Sequence, residues 1–475
     1  MVVGTIADLL SLREDGLRLL LCVLAGYPVA VIHRSFFYNK SRAVQHAFFV
    51  VIGVILYLFN NGYECIHAFI SVLMVYIIIR FVGGKPESVI AAHIFFLGYL
   101  LVGYWYAESE AYDITWTTPY CIMTLRFTGL IMDIYDGAHF VADQRKTAIK
   151  DAPGLLEVAA YGLFYTGTIA GPQFSLSKFR SYVNGDWLDE KGQPRQSSLM
   201  PSLGRFIGGC TFVVLNQWGA VWIPNTFFNS QEFFNMSFFM RWTWVVIWFR
   251  LTMYRYCGIW LIVEGSAILN GLGYNGKDKE GNDSFRWDGV RDVHIWLWET
   301  GHDFSSAIQS FNCGTNKFVK NHIFRRLRWL GSKSASHIVA LFYLAIWHGY
   351  HLGYFLLFFF EFGCVVAQEQ LYSLIDCTPC WRDFIAKPGV RPLVWVFGRV
   401  TTMYSMGFGF LCFGLVKTKY WIGPLKSLYL VGFLVFFVAW PVIYHSLRRI
   451  LPMNQKTVQQ QKTLGKSNSV PKKEL

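Results

Sequence analysis

Apolar residues recur along this chain in runs separated by short polar breaks, from near Gly16 to about Tyr444. A run of roughly twenty such residues spans the ~30 Å hydrocarbon layer of a bilayer as an α-helix. Gly16–Ile32, Val44–Phe59, Ile66–Val82 and Val89–Ala107 form a first group; Phe238–Tyr254, Val394–Val416 and Leu428–Tyr444 come later. His337–Gln368 is long enough for one tilted helix and a second, shorter one. Pro119–Met132, Leu155–Ile169 and Phe206–Trp222 are shorter or broken by glycine and are expected as further spans. The pattern predicts an all-α, multi-pass membrane bundle of about ten or eleven spans, in one domain covering residues 1–447.

Two polar stretches interrupt the bundle, 175–203 and 274–333, the second dense in Arg and Lys toward its end. Neither has the apolar content to bury a core, so loops and surface helices closing one side of the membrane domain are expected there. The first apolar run lacks a small-residue cleavage site and is followed by others, so no removable signal peptide is expected. No inverted repeat of the kind common in secondary transporters is visible. From Arg448 onward, residues 448–475 form a polar tail rich in Gln and Lys, a composition that favours disorder. Its end, Lys472-Lys473-Glu474-Leu475, resembles the dilysine retrieval signal of endoplasmic-reticulum membrane proteins and implies a cytosolic C-terminus.

Composition sharpens this picture. Only 15% of residues are charged, against about 25% in soluble chains, and the 18% aromatic content suits helices that meet lipid and two interfaces. The formal charge is +13, but Lys and Arg lie between apolar runs and in the tail instead of along one soluble face. That distribution argues against a nucleic-acid partner and for basic cytosolic loops, which would also attract a phosphate-bearing ligand. The ten cysteines are mostly scattered singly through apolar runs as small buried hydrophobes. The one close pair, Cys377 and Cys380, is open to being free or bridged.

Ionisable groups inside apolar runs are costly and mark candidate chemistry. His348 lies in Ala345-Ile346-Trp347-His348-Gly349-Tyr350-His351, with Phe355–Phe360 following. Apolar surroundings favour a neutral imidazole, the form that can act as a general base. Gly349 beside it permits close backbone or substrate approach. His351 is three residues on, but metal-dependent membrane desaturases need several His clusters, and no other histidine pairs at that spacing; no metal is expected. A second constellation, Ser310-Phe311-Asn312-Cys313-Gly314-Thr315-Asn316-Lys317-Phe318, reads as turn and cap residues or as a polar hook at a membrane face. Behind it, Arg325, Arg326 and Arg328 suit phosphates or a headgroup surface.

An apolar Trp347-His348-Gly349 preceded by Asn312-x-x-Thr315 resembles the membrane-bound O-acyltransferase family. Gly171-Pro172-Gln173-Phe174-Ser175, Trp260 with Glu264-Gly265, Trp287-Asp288 and Asp133 through Gly137 are similar to its lysophospholipid branch. The likeness runs from about Asp113 to Glu361 with motif order kept, and departs from many members at Phe318, where they carry Trp. The resemblance implies helices enclosing a reaction chamber, acyl-CoA as co-substrate, no permanently bound cofactor, and a lysophospholipid drawn from the lipid bilayer. It implies His348 as general base and Asn312 as the group orienting a substrate or the developing oxyanion. Glu264, Trp287, Asp288, Thr315, Trp347, Arg325 and Arg326 are implied near the substrates, with His351 in a supporting role. The alternatives are a family member acting on a sterol, diacylglycerol or peptide, and a transporter, which would need acids deep in the spans; Glu64 and Glu361 come nearest.

Overall fold

The structure, a computed structural model, describes residues 2–9, 12–108, 114–139, 146–277 and 285–452. Among these no strand forms; two isolated bridges, Leu188 with Pro194 and Lys277 with Phe285, are the extended pairings. The dilysine end lies outside the described residues.

The helices follow in order. α1 (Val2–Leu9), α2 (Glu14–Ile32), α3 (Arg42–Asn61), α4 (Ile66–Val82), α5 (Pro86–Tyr106) and α6 (Thr117–His139) come first. α7 (Leu155–Gly162), α8 (Leu176–Val183), α9 (Leu199–Trp222), α10 (Gln231–Asn235) and α11 (Phe238–Asn270) lead to the polar stretch. That stretch holds α12 (Ile295–Thr300), α13 (Phe304–Ser310) and α14 (Cys313–Phe318), then α15 (Lys333–His348) begins. α16 (Leu352–Cys377), α17 (Pro379–Ala386), α18 (Arg391–Gly414), α19 (Thr418–Ser427), α20 (Val431–Leu434) and α21 (Trp440–Ile450) complete the chain.

Local chemistry sets the starts. Pro86 opens α5, where its missing N–H costs nothing. Ser175 caps α8 by accepting from the Lys178 N–H, and Ser332 caps α15 by accepting from Ala335. Asp303 and Ser306 make a reciprocal capping box at α13. Along α5 the buried residues are Ser88, Ala92, Phe96, Leu100 and Gly103, one seam at i, i+4 spacing. Its other faces expose Ile90, Ile94 and Val102. A helix apolar on its outer as well as its inner face belongs in lipid.

Seven helical stretches among the described residues are long and apolar enough to cross a membrane: Glu14–Phe37, Arg42–Val82, Pro86–Tyr106, Gln196–Asn229, Phe238–Asn270, Leu352–Cys377 and Val431–Ile450. Arg42–Val82 contains both α3 and α4, joined through the Gly62–Cys65 turn. Leu155–Ile169, expected as a span, is the eight-residue α7 followed by turns, about 12 Å of helix and too short to cross. The apolar run His337–Gln368 breaks at Gly349–His351 into α15 and α16. The polar tail starts later than its sequence boundary, because Arg448 and Arg449 form the last turn of α21. Neither Cys377 nor Cys380 forms a disulfide.

The chain divides into two compact units where hydropathy suggested one domain: residues 1–215, 254–293 and 312–318, and residues 216–253, 294–311 and 319–475. The boundaries fall inside the continuous apolar helices α9 and α11, which give hydropathy nothing to detect. In the first unit α5 packs along α6, and α3 packs along α7. In the second, α16 packs between α15 and α18.

The first unit is tied by Arg126 of α6, which is 1% exposed. Its guanidinium donates to the carbonyls of Tyr161 (3.2 Å), Gly162 (3.3 Å), Gly167 (2.8 Å) and Pro172 (3.0 Å). These acceptors lie where α7 gives way to turns and leaves carbonyls without intrahelical donors. Arg126→Leu is expected to lower stability by at least about 3 kcal/mol, since one hydrogen bond from a charged donor contributes about 1.5–3 kcal/mol and buried orphan carbonyls add to the loss. Thermal unfolding of the detergent-solubilised protein checks this; an unshifted melt would show that the carbonyls do not need the guanidinium.

Candidate active site

Asn312 opens the polar hook in the first unit with φ 50°, a left-handed conformation that Asn tolerates better than most residues. Its carbonyl accepts from the Asn316 N–H at 2.9 Å, closing the first turn of α14. Two further N–H groups of that turn are held from outside: Cys313 donates to the Asp292 carbonyl and Gly314 to Asp292 Oδ1, each at 2.9 Å. The approach requires glycine, because a Cβ at Gly314 would collide with Asp292 Oδ1. Thr315 is buried behind the turn, and Phe318 packs against Gly129 of α6, where a Cβ would lie 3.1 Å from the ring. The Asn312 carboxamide makes no hydrogen bond among the described residues.

The Gly171–Ser175 segment comes to the same place. Gln173 lies beside Gly314, and Gly171 beside Asp292 Oδ2. Arg126 holds the Pro172 carbonyl, stacks over the Phe174 ring at 4.5 Å, and Tyr161 Oη donates to the Phe174 carbonyl at 2.7 Å. Two motifs 141 residues apart, Gly-Pro-Gln-Phe and Asn-Cys-Gly-Thr, thus meet across Asp292.

Glu264 of α11, 1% exposed, is gripped by Arg205 Nε at 3.1 Å and Arg291 Nε at 3.5 Å. Those contacts give it a role in joining α9, α11 and the 291 loop. Trp287 is buried against the Tyr274 ring. Asp288 accepts from Asn275 at 2.8 Å and from Arg286 at 3.1 Å. Partial burial works to raise the Asp288 pKa, but these hydrogen bonds outweigh it and hold the carboxyl below its ordinary value.

His348 lies in the second unit, the last residue of α15. Gly349 ends the helix at φ 133°, which a side chain would resist, and its N–H closes on the carbonyls of Ala345 and Ile346. The imidazole is enclosed by rings: Trp347 at 4.6 Å, Phe413 at 4.9 Å, Phe358 stacked at 5.5 Å and Tyr354 at 5.9 Å. Among the described residues it makes no hydrogen bond or ion pair. His351 packs instead on Tyr350 and Tyr354, and no His/Cys/Asp/Glu group suited to a metal occurs among the described residues. Arg325 and Arg326 sit half-buried in the turn Phe324–Leu330.

Sequence reasoning missed Arg126 and Asp292. An arginine within the apolar stretch of α6 was a legible signal by its cost in lipid. Asp292 carried none, since its partners are 22 residues further on.

An all-α chain with several lipid-length apolar helices and a histidine set among aromatic rings is a multi-pass membrane protein. The family profile described as MBOAT, membrane-bound O-acyltransferase family, matches residues 101–407. The chain belongs to the membrane-bound O-acyltransferase family. It is 61% identical over 459 residues to a Caenorhabditis elegans protein named lysophospholipid acyltransferase 5, covering 96% of this chain and 97% of that one. The mouse and human proteins of the same name are each 32% identical over 455 residues, covering 95% of this chain and 93% of theirs.

Burial raises the Asp292 carboxyl to about 7 from its ordinary 3.8; the Glu264 charge adds to the rise, while the Gly314 N–H and Arg126 oppose it. The folded state therefore keeps a proton that the unfolded chain releases above about pH 4. The stability this supplies is full below that pH and is lost as pH rises through about 7. Asp292→Asn cannot ionise, so its melting temperature should gain on the wild type's between pH 5 and 8. Parallel thermal melts check this, and a pH-independent difference would contradict it.

Proposed function

We propose that the protein transfers an acyl group from acyl-CoA to the free sn-2 hydroxyl of a lysophospholipid, remodelling membrane phospholipids. Lysophosphatidylcholine is the first acceptor to test, with lysophosphatidylserine and lysophosphatidylethanolamine next. The observation that carries the reading is the near full-length likeness to proteins named lysophospholipid acyltransferase 5. An unengaged imidazole among rings and an unengaged carboxamide on a rigid turn are consistent with it.

In this mechanism His348 accepts the proton of the glycerol hydroxyl as that oxygen attacks the thioester carbonyl. The tetrahedral intermediate places negative charge on the former carbonyl oxygen, and Asn312 orients the donor or hydrogen-bonds that oxygen. Collapse expels CoA as thiolate, which leaves to the cytosol and takes back the proton from the imidazolium or from water. No acyl-enzyme forms; holding both substrates together supplies much of the acceleration. Trp347, Thr315, Trp287 and Asp288 support the substrates, with Glu264 and His351 bracing the elements that carry them. Arg325 and Arg326 attract the CoA phosphates. We place the protein in the endoplasmic-reticulum membrane with a cytosolic C-terminus, on its basic loops and dilysine-like end.

Wild type, His348→Ala and Asn312→Ala should be expressed in membranes without background activity and supplied with labelled acyl-CoA and a lysophospholipid panel. The wild type is expected to acylate at least one acceptor. His348→Ala should lose about 10²–10⁴-fold and Asn312→Ala about 10²–10³-fold at equal abundance. A wild type inactive on every lysolipid would overturn the substrate and raise sterol, diacylglycerol, peptide or transport activity in its place. Full activity in His348→Ala would keep the reaction and remove its base.

A further inference from the structure

The reaction as proposed needs the Asn312 carboxamide in one place, yet Asn312 begins a helix of only six residues, in a backbone conformation that costs free energy. Short helices are marginal without help. One residue outside the motif supplies two of its hydrogen bonds. Asp292 is 5% exposed and offers two acceptors to the turn: its main-chain carbonyl to the Cys313 N–H and its carboxyl Oδ1 to the Gly314 N–H. The second carboxyl oxygen faces Gly171, next to the Pro172 carbonyl that Arg126 holds. Arg126 is itself fully buried and coulombically coupled to Asp292. Asp292 thereby ties the turn, through its main chain and its carboxyl together, to the segment that Arg126 holds.

We propose that Asp292 is a positioning residue for acyl transfer, fixing the turn at Cys313–Gly314 so that the Asn312 carboxamide is presented to the reacting groups. It touches neither substrate, and its effect on the reaction passes through Asn312. The proposal rests on Asn312 acting in the chemistry, as set out above. Misplacing a catalytic group by about 1 Å can cost roughly 100-fold in rate. Loss of the carboxyl should thus appear in kcat, with the KM for acyl-CoA unchanged. Asparagine keeps an oxygen for the Gly314 N–H and should rescue; alanine should not.

The test uses the full-length protein in membranes, with Asp292→Ala, Asp292→Asn, Asn312→Ala and the Asp292→Ala/Asn312→Ala double variant. Acyl transfer from acyl-CoA to lysophosphatidylcholine gives kcat and KM. Alkylation of individual cysteines by N-ethylmaleimide, read by peptide mass spectrometry, gives a signal that does not need activity. Asp292→Ala should lose about 10–100-fold in kcat, and Asp292→Asn should recover most of it. The double variant should be no slower than Asn312→Ala alone, because residues acting through one another are non-additive. Cys313, half-buried in the turn, should alkylate faster in Asp292→Ala, while Cys257, fully buried in α11, should not change. Losses that multiply in the double variant would overturn the proposal, as would an unchanged Cys313. Faster labelling of Cys257 together with Cys313 would reduce Asp292 to a fold-stability residue and overturn it equally. If no form transfers acyl groups, the proposed function fails, and the cysteine readout still decides whether Asp292 holds the turn.

Discussion

Four backbone carbonyls converge on the Arg126 guanidinium, and the first unit is organised around that convergence. A chain in apolar surroundings cannot leave peptide groups without partners, which is why helices dominate membrane proteins. Where α7 stops and the chain turns toward Gly171-Pro172, the helix ladder no longer supplies donors. Arg126 on a neighbouring helix supplies most of them, and Thr168 Oγ1 adds one to the Gly162 carbonyl. The cation's own burial would be costly alone; four carbonyl dipoles, the Phe174 ring and the nearby Asp292 carboxyl offset that cost. The Gly171–Phe174 segment that meets the Asn312 turn is held in place by this cluster.

Asn312 and His348 are held in opposite ways. Asn312 is fixed through its backbone, by hydrogen bonds to the first turn of α14 that leave the side chain unengaged. His348 is fixed through its side chain, by Phe358 and Tyr354 of α16 and Phe413 of α18, at the abrupt end of α15. A hydrogen-bonded turn defines direction sharply, which the proposed contact to an oxyanion would require. Ring contacts hold an imidazole in place without engaging its nitrogens, as the proposed proton transfer would require.

Much of this was legible in the sequence, and the parts that were not share a cause. The runs at 16–32, 44–59, 66–82 and 89–107 became α2 to α5, because a lipid-length apolar run has few other solutions. His348 stood out as a candidate because an imidazole among Trp, Leu and Phe is conspicuous, and Asn312 because it opens a polar hook matched by the family resemblance. Leu155–Ile169 was misread: composition reports burial, and α7 with its following turns is buried by protein, with Val158, Ala160, Tyr161, Phe164 and Ile169 all nearly inaccessible. Asp292 was invisible because its meaning lies wholly in what Gly314 and Gly171 leave room for. The unit boundaries were equally hidden inside α9 and α11, where the apolar pattern continues unbroken.

None of the ten cysteines of the chain forms a disulfide, Cys377 and Cys380 included. No covalent crosslink ties its helices together. The proposed reaction would release CoA, a free thiol, and a protein held together by disulfides would be exposed to exchange with it. This chain offers that product no disulfide to attack.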